Sequence, residues 1–171
     1  MNRLTAVLGS IVFFFVAPFL IAGVLPWLFW KGEMRPAFLG IEETRLVGLA
    51  LMAAGTTILI DSFARFALQG LGTPAPIAPP RHLVVTGLYR FVRNPMYVAV
   101  LTVIFGESIF FADSRLAAYG VVAWLLFHAF VRLYEEPALK EQFGAEYQAY
   151  KANVPRWIPR LTPWRAAQSA N

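Results

Sequence analysis

Four apolar segments, separated by short polar stretches, account for most of the chain. They cover residues 4–30, 44–69, 95–112 and 115–143, and the last two meet at the tripeptide DSR. Each has at least the roughly 17 residues that a helix needs to cross the hydrocarbon of a bilayer. The short joint between the last two favours an antiparallel hairpin. The pattern therefore predicts an all-α integral membrane protein with about four transmembrane helices.

The positions of prolines and the lengths of the segments predict irregularities in the first and last of these helices. Pro18 predicts a bend in the first helix. The fourth would extend about 43 Å at roughly 1.5 Å per residue, more than the about 30 Å of hydrocarbon, so its far end is expected to project into water. Pro137 predicts a kink or break near Glu136. The first segment is uncharged for 27 residues, longer than the roughly 7–15 apolar residues of a signal peptide, and is expected to be a retained helix.

Composition narrows the class of protein and of chemistry. Hydrophobic residues make up 58% of the 171 residues and charged residues 15%, and the mean hydropathy is +0.56, far from the averages of a soluble domain. The net charge of +5 is spread among the apolar segments without a basic run, so nucleic acid is not an expected partner. The chain has no cysteine and two histidines, which leaves no thiolate chemistry and no expected metal cluster.

Lysines and arginines fall mainly on one side of the predicted helices. Of the 15 such residues, only Lys31, Arg35, Arg45 and Arg115 lie on the side opposite the two termini and the central loop. The positive-inside rule then places both termini and that loop in the cytoplasm. We expect one domain over residues 1–171, with two N-terminal helices in 1–70, a proline-rich cytoplasmic loop in 71–94, a helical hairpin in 95–143 and a cytoplasmic C-terminal segment in 144–171.

The polar residues that need an explanation form two groups, which this topology brings to one face. One group surrounds the start of the third helix and consists of His82, Tyr89, Arg90, Arg93, Asn94 and Tyr97. The other lies at the end of the fourth helix, where Arg132, Glu135 and Glu136 share one helix face with His128. Plain solvation at a membrane exit is one explanation, and a shared binding site is the other.

Several polar residues also have simpler structural roles. Asn94 and Pro95 are typical of a helix start, with Asn as the N-cap and Pro as the first helical residue. Arg90 has no acidic neighbour in sequence and is expected to reach lipid phosphates. Glu107 is costly within a bilayer, so we expect it near the outer interface or in a wet crevice. The small residues of GLALMAAG, residues 48–55, permit close helix contact within the chain or between chains.

Two motifs, which follow one another in a fixed order, make the C-terminal half recognisable. The segment GLYRFVRNPMYVAV, residues 87–100, is followed after the hairpin by RLYEEPALKEQFGAEYQAYKANVPRWIP, residues 132–159. Together they resemble the isoprenylcysteine carboxyl methyltransferase and phospholipid methyltransferase superfamily of membrane enzymes, and GTPAPIAPP at 72–80 is similar to bacterial-type members. The resemblance implies methyl transfer from S-adenosylmethionine to a lipophilic acceptor delivered by the membrane, with S-adenosylhomocysteine as product. It also implies a bacterial inner membrane and a cytoplasmic C-terminal helical segment that completes the cofactor site.

The resemblance assigns cofactor contacts to residues along both motifs. The expected set is His82, Leu83, Val84, Val85, Gly87, Tyr89, Arg93, Asn94, Pro95, Tyr97, Glu135 and Glu136. Arg93 would bind the methionine carboxylate by charge-assisted bonds, and Tyr97 or Tyr89 would face the sulfonium cation. Glu135 or Glu136 would accept hydrogen bonds from the ribose hydroxyls or the ammonium. HLVVTG, residues 82–87, matches the family segment beside the adenine.

The same resemblance implies catalytic roles for Arg132 and Glu135. Arg132 would orient an anionic acceptor, and Glu135 would act as an orienter or base. The prenylcysteine enzymes of eukaryotes have Arg-His-Pro where this chain has Arg93-Asn94-Pro95, so the acceptor stays open among a phospholipid amine, an isoprenoid or fatty carboxylate and a small lipophilic thiol. Two other classes are alternatives: a non-catalytic ligand-binding or partner protein on the same fold, and a membrane reductase.

Overall fold

The computed structural model describes residues 3–31, 33–70 and 82–165. Throughout this part of the chain the regular structure is helical and no strand occurs. The α-helices are α1 (Arg3–Val16), α2 (Leu25–Trp30), α3 (Thr44–Arg65), α4 (Pro95–Phe111), α5 (Ser114–Phe130) and α6 (Glu136–Asn153). The prediction of an all-helical chain is therefore confirmed for the described residues.

Turns of π-helix join these elements into longer runs. Leu20–Val24 connects α1 to α2, Phe66–Gly70 extends α3, and Val131–Glu135 joins α5 to α6. Within the part of the chain that the structure describes, three runs are long and apolar enough to cross a membrane, namely Val7–Leu28, Thr44–Gln69 and Ser114–Asn153. The α4 helix is apolar but shorter, with 17 residues. The apolar segments thus lie where the sequence predicts them, and a count of four spans stays a prediction.

The helical run passes through Pro137, so the predicted break near Glu136 is absent and the irregularity there is a π-helical turn. Pro137 lies in the first turn of α6, directly after the π-helical turn. At that position a missing backbone N–H costs little, because the wider turn has already displaced the usual hydrogen-bond partner. The departure from helical geometry comes at Gly144, with φ 51° and ψ −120°. This is one residue beyond the predicted end, and the helix then resumes as far as Asn153.

Glycines bring α3 and α4 into backbone contact. A β-carbon added at Gly48 would lie 2.6 Å from the nitrogen of Phe110 and 2.7 Å from the carbonyl oxygen of Gly106. At Gly55 it would lie 2.8 Å from the carbonyl oxygen of Ala99. Such approaches leave no room for a side chain. The small residues at 48 and 55 therefore serve an intramolecular contact, and beside it packs the main core of Leu59, Phe63, Ala99, Val100, Leu101, Ile104 and Ala123.

A buried aspartate closes the hairpin between α4 and α5. Ala112 has a left-handed conformation with φ 55°, and Asp113 then caps α5 by accepting a hydrogen bond from the backbone N–H of Arg115 at 2.9 Å. The Arg115 guanidinium also donates to this carboxylate, with NH2 2.6 Å from Oδ2. These hydrogen bonds from Arg115 hold the pKa of Asp113 below its usual value.

Residues 154–164, here called the C-terminal strap, run beside residues 90–94 at the mouth of α4. The N–H of Arg93 donates to the carbonyl of Pro155 at 2.9 Å, and the N–H of Trp164 donates to the carbonyl of Arg90 at 2.9 Å. The end of α6 is tied to the same region, because the Tyr150 hydroxyl donates to the carbonyl of Tyr89 at 2.6 Å. The strap and α6 thus hold in place the segment that leads into α4.

Candidate active site

A cavity of about 280 Å³ opens at the N-terminal end of α4. One part of its lining carries polar groups and comes from the segment before α4, the first turn of α4 and the α5–α6 run: Tyr89, Arg93, Asn94, Tyr97, Tyr134, Glu135, Gln142 and Tyr150. The other part is apolar and includes Phe13, Ala17, Pro18 and Ile21 near α1, Leu59 and Phe63 of α3, Val100 of α4 and Phe127 of α5. The cavity can therefore accommodate a ligand with both a charged and an apolar portion.

Arg93 lines the cavity, is held by hydrogen bonds along one edge and has one donor without a partner. Its side chain is 9% exposed. One terminal nitrogen donates to Glu136 at 3.0 Å and lies 3.2 Å from the Tyr147 hydroxyl. Its Nε is buried and has no hydrogen-bond partner among the described residues. Because an unsatisfied buried donor costs about 1–3 kcal/mol, and more when it is charged, this atom favours an anionic ligand.

Glu136 holds Arg93 as part of a cluster of three cations. Its Oε1 accepts from Arg93 and, at 2.5 Å, from Arg156, while Oε2 accepts from Lys151 at 2.8 Å and from Arg156 at 3.0 Å. The hydrogen bond to Glu136 raises the pKa of Arg156 above its usual value. Since three cations share a single carboxylate, the cluster leaves excess positive charge beside the cavity, which also favours an anion.

Glu135 points to the opposite kind of ligand group. Its Oε1 accepts a hydrogen bond from the Tyr97 hydroxyl at 2.6 Å, and both residues line the cavity. The Tyr97 ring lies 4.8 Å from the Phe127 ring and 6.4 Å from the Trp157 ring, measured between centroids. A carboxylate next to clustered aromatic rings favours a cationic or hydrogen-bond-donating ligand group.

The two histidines of the chain have different environments, and only His128 contacts the aromatic rings around Tyr97. The indole N–H of Trp157 donates to Nδ1 of His128 at 3.0 Å, and the two rings stack with centroids 6.0 Å apart. His128 therefore positions the strap tryptophan that packs against Tyr97. His82 is exposed and does not contribute to the cavity lining.

The structure brings most of the predicted site residues together. Those that line the cavity are Leu83, Val84, Tyr89, Arg93, Asn94, Pro95, Tyr97 and Glu135. Those outside the lining are His82, Val85, Gly87, Arg132 and Glu136. Of these, Val85 packs against the buried group of Tyr147, Tyr150 and Val154, and Arg132 is exposed. The individual roles of all these residues stay predictions.

Gly87 has a backbone role next to the cavity. Its φ is +53°, in the left-handed region that favours glycine, and an added β-carbon would lie 2.2 Å from Nε of Arg65. Arg65 is in turn paired with Asp61, one turn earlier on α3, with Nε 2.8 Å from Oδ2. The spacing of four residues places Asp61 and Arg65 on one helix face, and Gly87 makes room for the pair.

Two expectations about the mouth of α4 were wrong. Arg90 does not extend outward to lipid phosphates, because its Nε donates to the carbonyl of Trp164 at 2.7 Å and the side chain is partly buried. Asn94 is the N-cap residue by position and Pro95 follows it in the first turn, as expected. However, the Asn94 side chain makes no capping hydrogen bond and instead donates to the carbonyl of Arg156 at 3.1 Å. In both cases the C-terminal strap competes successfully for the side chain.

Sequence reasoning missed two contributions to the site. The lining residues in α1 and directly after it are apolar like their neighbours, so no pattern separated those that face the cavity from those that face outward. Lys151 and Arg156 were interpreted only as topological charges, although both bind Glu136. A signal was present for Arg156, since it lies within the second motif beside Pro155 and Trp157.

Fold and site together define an all-helical protein of the integral membrane type, with a mixed polar and apolar cavity at one end of its central helix. The chain belongs to the phospholipid methyltransferase family, whose sequence profile matches residues 44–146. The resemblance noted in the two motifs is thereby confirmed.

Individual relatives are similar over different shares of the chain. Methanethiol S-methyltransferase 2 of Bradyrhizobium diazoefficiens is 30% identical over 154 residues, which is 81% of this chain and 56% of that protein. Protein-S-isoprenylcysteine O-methyltransferase B of Arabidopsis thaliana is 35% identical over 78 residues, which is 45% of this chain and 39% of that protein. The chain thus spans about half the length of the curated relatives it matches. No solved structure matches it.

Proposed function

We propose that this chain transfers a methyl group from S-adenosylmethionine to a lipophilic acceptor that enters the cavity from the bilayer. The observation that carries the proposal is the buried, unpartnered Nε of Arg93 in the same cavity as the Glu135–Tyr97 pair. One wall thus favours an anion and another favours a cation. The methionine part of the cofactor carries both charges.

The cavity residues fit the remaining parts of the cofactor as well. Arg93 is suited to the carboxylate, Glu135 to the ammonium or the ribose hydroxyls, and Tyr97 to the cationic sulfonium. Leu83 and Val84, which precede the mouth of α4 and line the cavity, provide an apolar surface for the adenine. When bound, S-adenosylmethionine supplies a methyl group activated by its attachment to a sulfonium.

Glu136 takes the role of a positioning residue in this proposal. Its two oxygens are occupied by Arg93, Lys151 and Arg156, and it does not line the cavity. It would act by fixing the guanidinium of Arg93, while Glu135 contacts the ligand. Catalysis would then come mainly from alignment in a site that excludes water, with Glu135 as an orienter or base.

The acceptor is proposed to occupy the apolar part of the cavity, between α1, α3 and α4. The relatives' names give two acceptor types, methanethiol and the isoprenylcysteine carboxyl group. We therefore propose that the acceptor of this chain is a lipophilic molecule with either a thiol or a carboxylate. Arg132 remains a candidate for orienting an anionic acceptor. Unchanged turnover in Arg132→Lys would rule out this role for Arg132, because lysine lacks the planar guanidinium that can bind a carboxylate through two hydrogen bonds.

We further propose that four helices span the membrane and that the cavity faces the cytoplasm of a bacterial cell. The 17 residues of α4 suffice for about 26 Å at roughly 1.5 Å per residue, which is near the hydrocarbon thickness. The excess of lysine and arginine on the side of the cavity supports the orientation. The whole chain would then form one domain.

The test is isothermal titration of S-adenosylhomocysteine into the detergent-solubilised protein. Wild type should bind in the micromolar range, about −8 kcal/mol, and both Arg93→Ala and Glu135→Gln should lose binding. Lys140→Ala and Glu141→Gln are matched controls, because they remove the same charges from exposed positions on α6, and they should bind like wild type.

Other outcomes would contradict the proposal. If the folded wild type bound NADPH and not S-adenosylhomocysteine, a membrane reductase would be the better assignment. If it bound neither, the fold would serve a non-catalytic role. If the variants at Arg93 and Glu135 bound as tightly as wild type, the cofactor would lie elsewhere.

A further inference from the structure

A second cavity lies near the other end of α4, away from the proposed cofactor site. It has a volume of about 130 Å³ and is lined by residues of α2, α3, α4 and α5. Glu107 is the acidic residue in this lining, twelve positions after Pro95 along α4. At about 1.5 Å per residue it is about 18 Å from the helix start. The proposed methyl transfer does not use this cavity.

Glu107 is buried in this cavity, and one of its two carboxylate oxygens has no partner among the described residues. Its relative exposure is 8%, and its Oε2 accepts no hydrogen bond from any residue that the structure describes. The ion pairs among the described residues also leave Glu107 out, although Arg35, Arg45 and Arg115 lie at the same end of the bundle. A buried carboxylate oxygen with no donor is costly, and within a membrane protein such a group indicates a functional site.

The rest of the lining indicates which ligand chemistry fits. Three aromatic residues, Trp27, Trp30 and Phe111, surround the carboxylate's cavity. The Trp30 and Phe111 rings stack with centroids 3.9 Å apart and form one wall. Aromatic rings around a negative charge are suited to an organic cation, because the ring faces attract the charge and also pack against its alkyl groups.

Other occupants fit less well. Magnesium and calcium ions take six or more oxygen ligands and zinc takes three or four protein ligands, whereas the lining offers a single carboxylate. A water molecule needs two to four polar partners, whereas most of the lining, including Pro26, Met52 and Leu116, is apolar. The volume admits a group of a few heavy atoms, so a nucleoside or a whole lipid cannot be enclosed.

We propose that this cavity binds the alkylammonium group of a small organic cation, with Glu107 as the counter-ion and Trp27, Trp30 and Phe111 as the aromatic walls. The same chemistry is present in a free amine and in the headgroup of an amine-bearing lipid. Trp27 is exposed on the outside of the bundle, which gives either source a route to the cavity.

The experiment uses ¹⁹F NMR of the full chain labelled with 5-fluorotryptophan. The five tryptophans give five signals, which are assigned by single Trp→Phe variants. Tetramethylammonium chloride is titrated into protein in phosphatidylglycerol nanodiscs, which contain no amine headgroup. We expect saturable shifts of the Trp27 and Trp30 signals, with those of Trp157 and Trp164 unmoved, because the latter two lie at the strap.

Two variants test the role of the carboxylate and of the rings. Glu107→Gln should weaken the response at least tenfold, whereas Glu42→Gln, an exposed carboxylate at the same end of the bundle, should leave it unchanged. If Glu107→Gln does not fold, Trp27→Leu decides, since it removes one ring at an exposed position and should weaken binding in the same way. Binding of S-adenosylhomocysteine to each variant reports separately on the cofactor site.

A second sample distinguishes the source of the cation. Phosphatidylcholine nanodiscs without added salt should reproduce the shifts if a lipid headgroup enters the cavity, and should leave them absent if only a free amine does. Either result agrees with the proposal when tetramethylammonium itself binds. The absence of shifts with both probes, or equal shifts in wild type and Glu107→Gln, would overturn it.

Discussion

Replacing Glu136 with glutamine tests whether one buried carboxylate organises the proposed cofactor site through Arg93. Each Glu136 oxygen accepts two hydrogen bonds from cations. In whichever orientation the glutamine amide lies, its NH2 group therefore faces two positively charged donors and loses both bonds. The variant has nearly the same shape as the wild type, so the change is one of charge and hydrogen bonding.

The structure sets the size of the effect. Arg93 and Glu136 are 9% and 8% exposed, and breaking a buried pair of this kind costs about 3–5 kcal/mol. Lys151 is 47% exposed, so its bond is screened by water and contributes about 0–1 kcal/mol. We therefore expect Glu136→Gln to weaken S-adenosylhomocysteine binding at least tenfold, about 1.4 kcal/mol. Lys151→Met should change binding less than threefold.

Titration calorimetry on wild type, Glu136→Gln, Arg93→Lys and the double variant measures the coupling directly. If Glu136 acts by positioning Arg93, the two single losses will not add in the double variant. Loss of the buried pair should lower the midpoint of denaturation in either case, and a purely structural role would leave the affinity of the folded fraction intact. Additive losses, or an affinity for Glu136→Gln within twofold of wild type, would refute the reasoning.

Three further predictions concern the scaffold. Gly48→Ala should cost about 1–3 kcal/mol in a denaturant titration, because its β-carbon would press on the backbone of α4, whereas Gly23→Ala meets its nearest atom only at 3.5 Å and should be near neutral. Gly87→Ala should lower both stability and S-adenosylhomocysteine affinity, because the new atom collides with the guanidinium that faces it. Gly144→Ala also has a positive φ, with ψ −120° outside the left-handed helical well, but nothing lies within 4 Å, so a circular dichroism melt should show only the conformational cost of about 1–3 kcal/mol. Hydrogen bonds from Arg115 lower the pKa of Asp113 in the folded protein. The contribution of the Asp113 carboxylate to stability is therefore complete above the unfolded pKa of about 3.9, and it is lost as the pH falls through the folded pKa. Asp113→Asn should therefore flatten the acid side of a plot of unfolding midpoint against pH.

Hydrophobic pattern and local signals predicted the elements of this fold well. Uncharged stretches of sufficient length fix where helices form in an apolar chain, and Asn94-Pro95 fixes where α4 begins. The convergence of Arg93 and Glu135 on one cavity also followed from sequence, since a tight hairpin brings the start of α4 next to the junction of α5 and α6. These results depend on local chemistry and on connection length.

The remaining features depend on long-range contacts that leave no local trace. Arg90 and Asn94 bond to backbone carbonyls of the strap, and a carbonyl acceptor is present at every residue, so no pattern identifies it. The π-helical turn before Pro137 is similarly invisible to a periodicity of 3.6 residues. The cavity-facing residues of α1 are chosen by packing alone.

The C-terminal strap has a consequence for biosynthesis. A nascent chain that has been made as far as residue 143 contains all four apolar segments, yet the segment around Arg93 still lacks the carbonyls of Pro155 and Arg156 to which it bonds. The proposed cofactor site would therefore be completed only when the strap has been synthesised and has docked. Translation that stops between residue 143 and Pro155 would leave a bundle without an organised site.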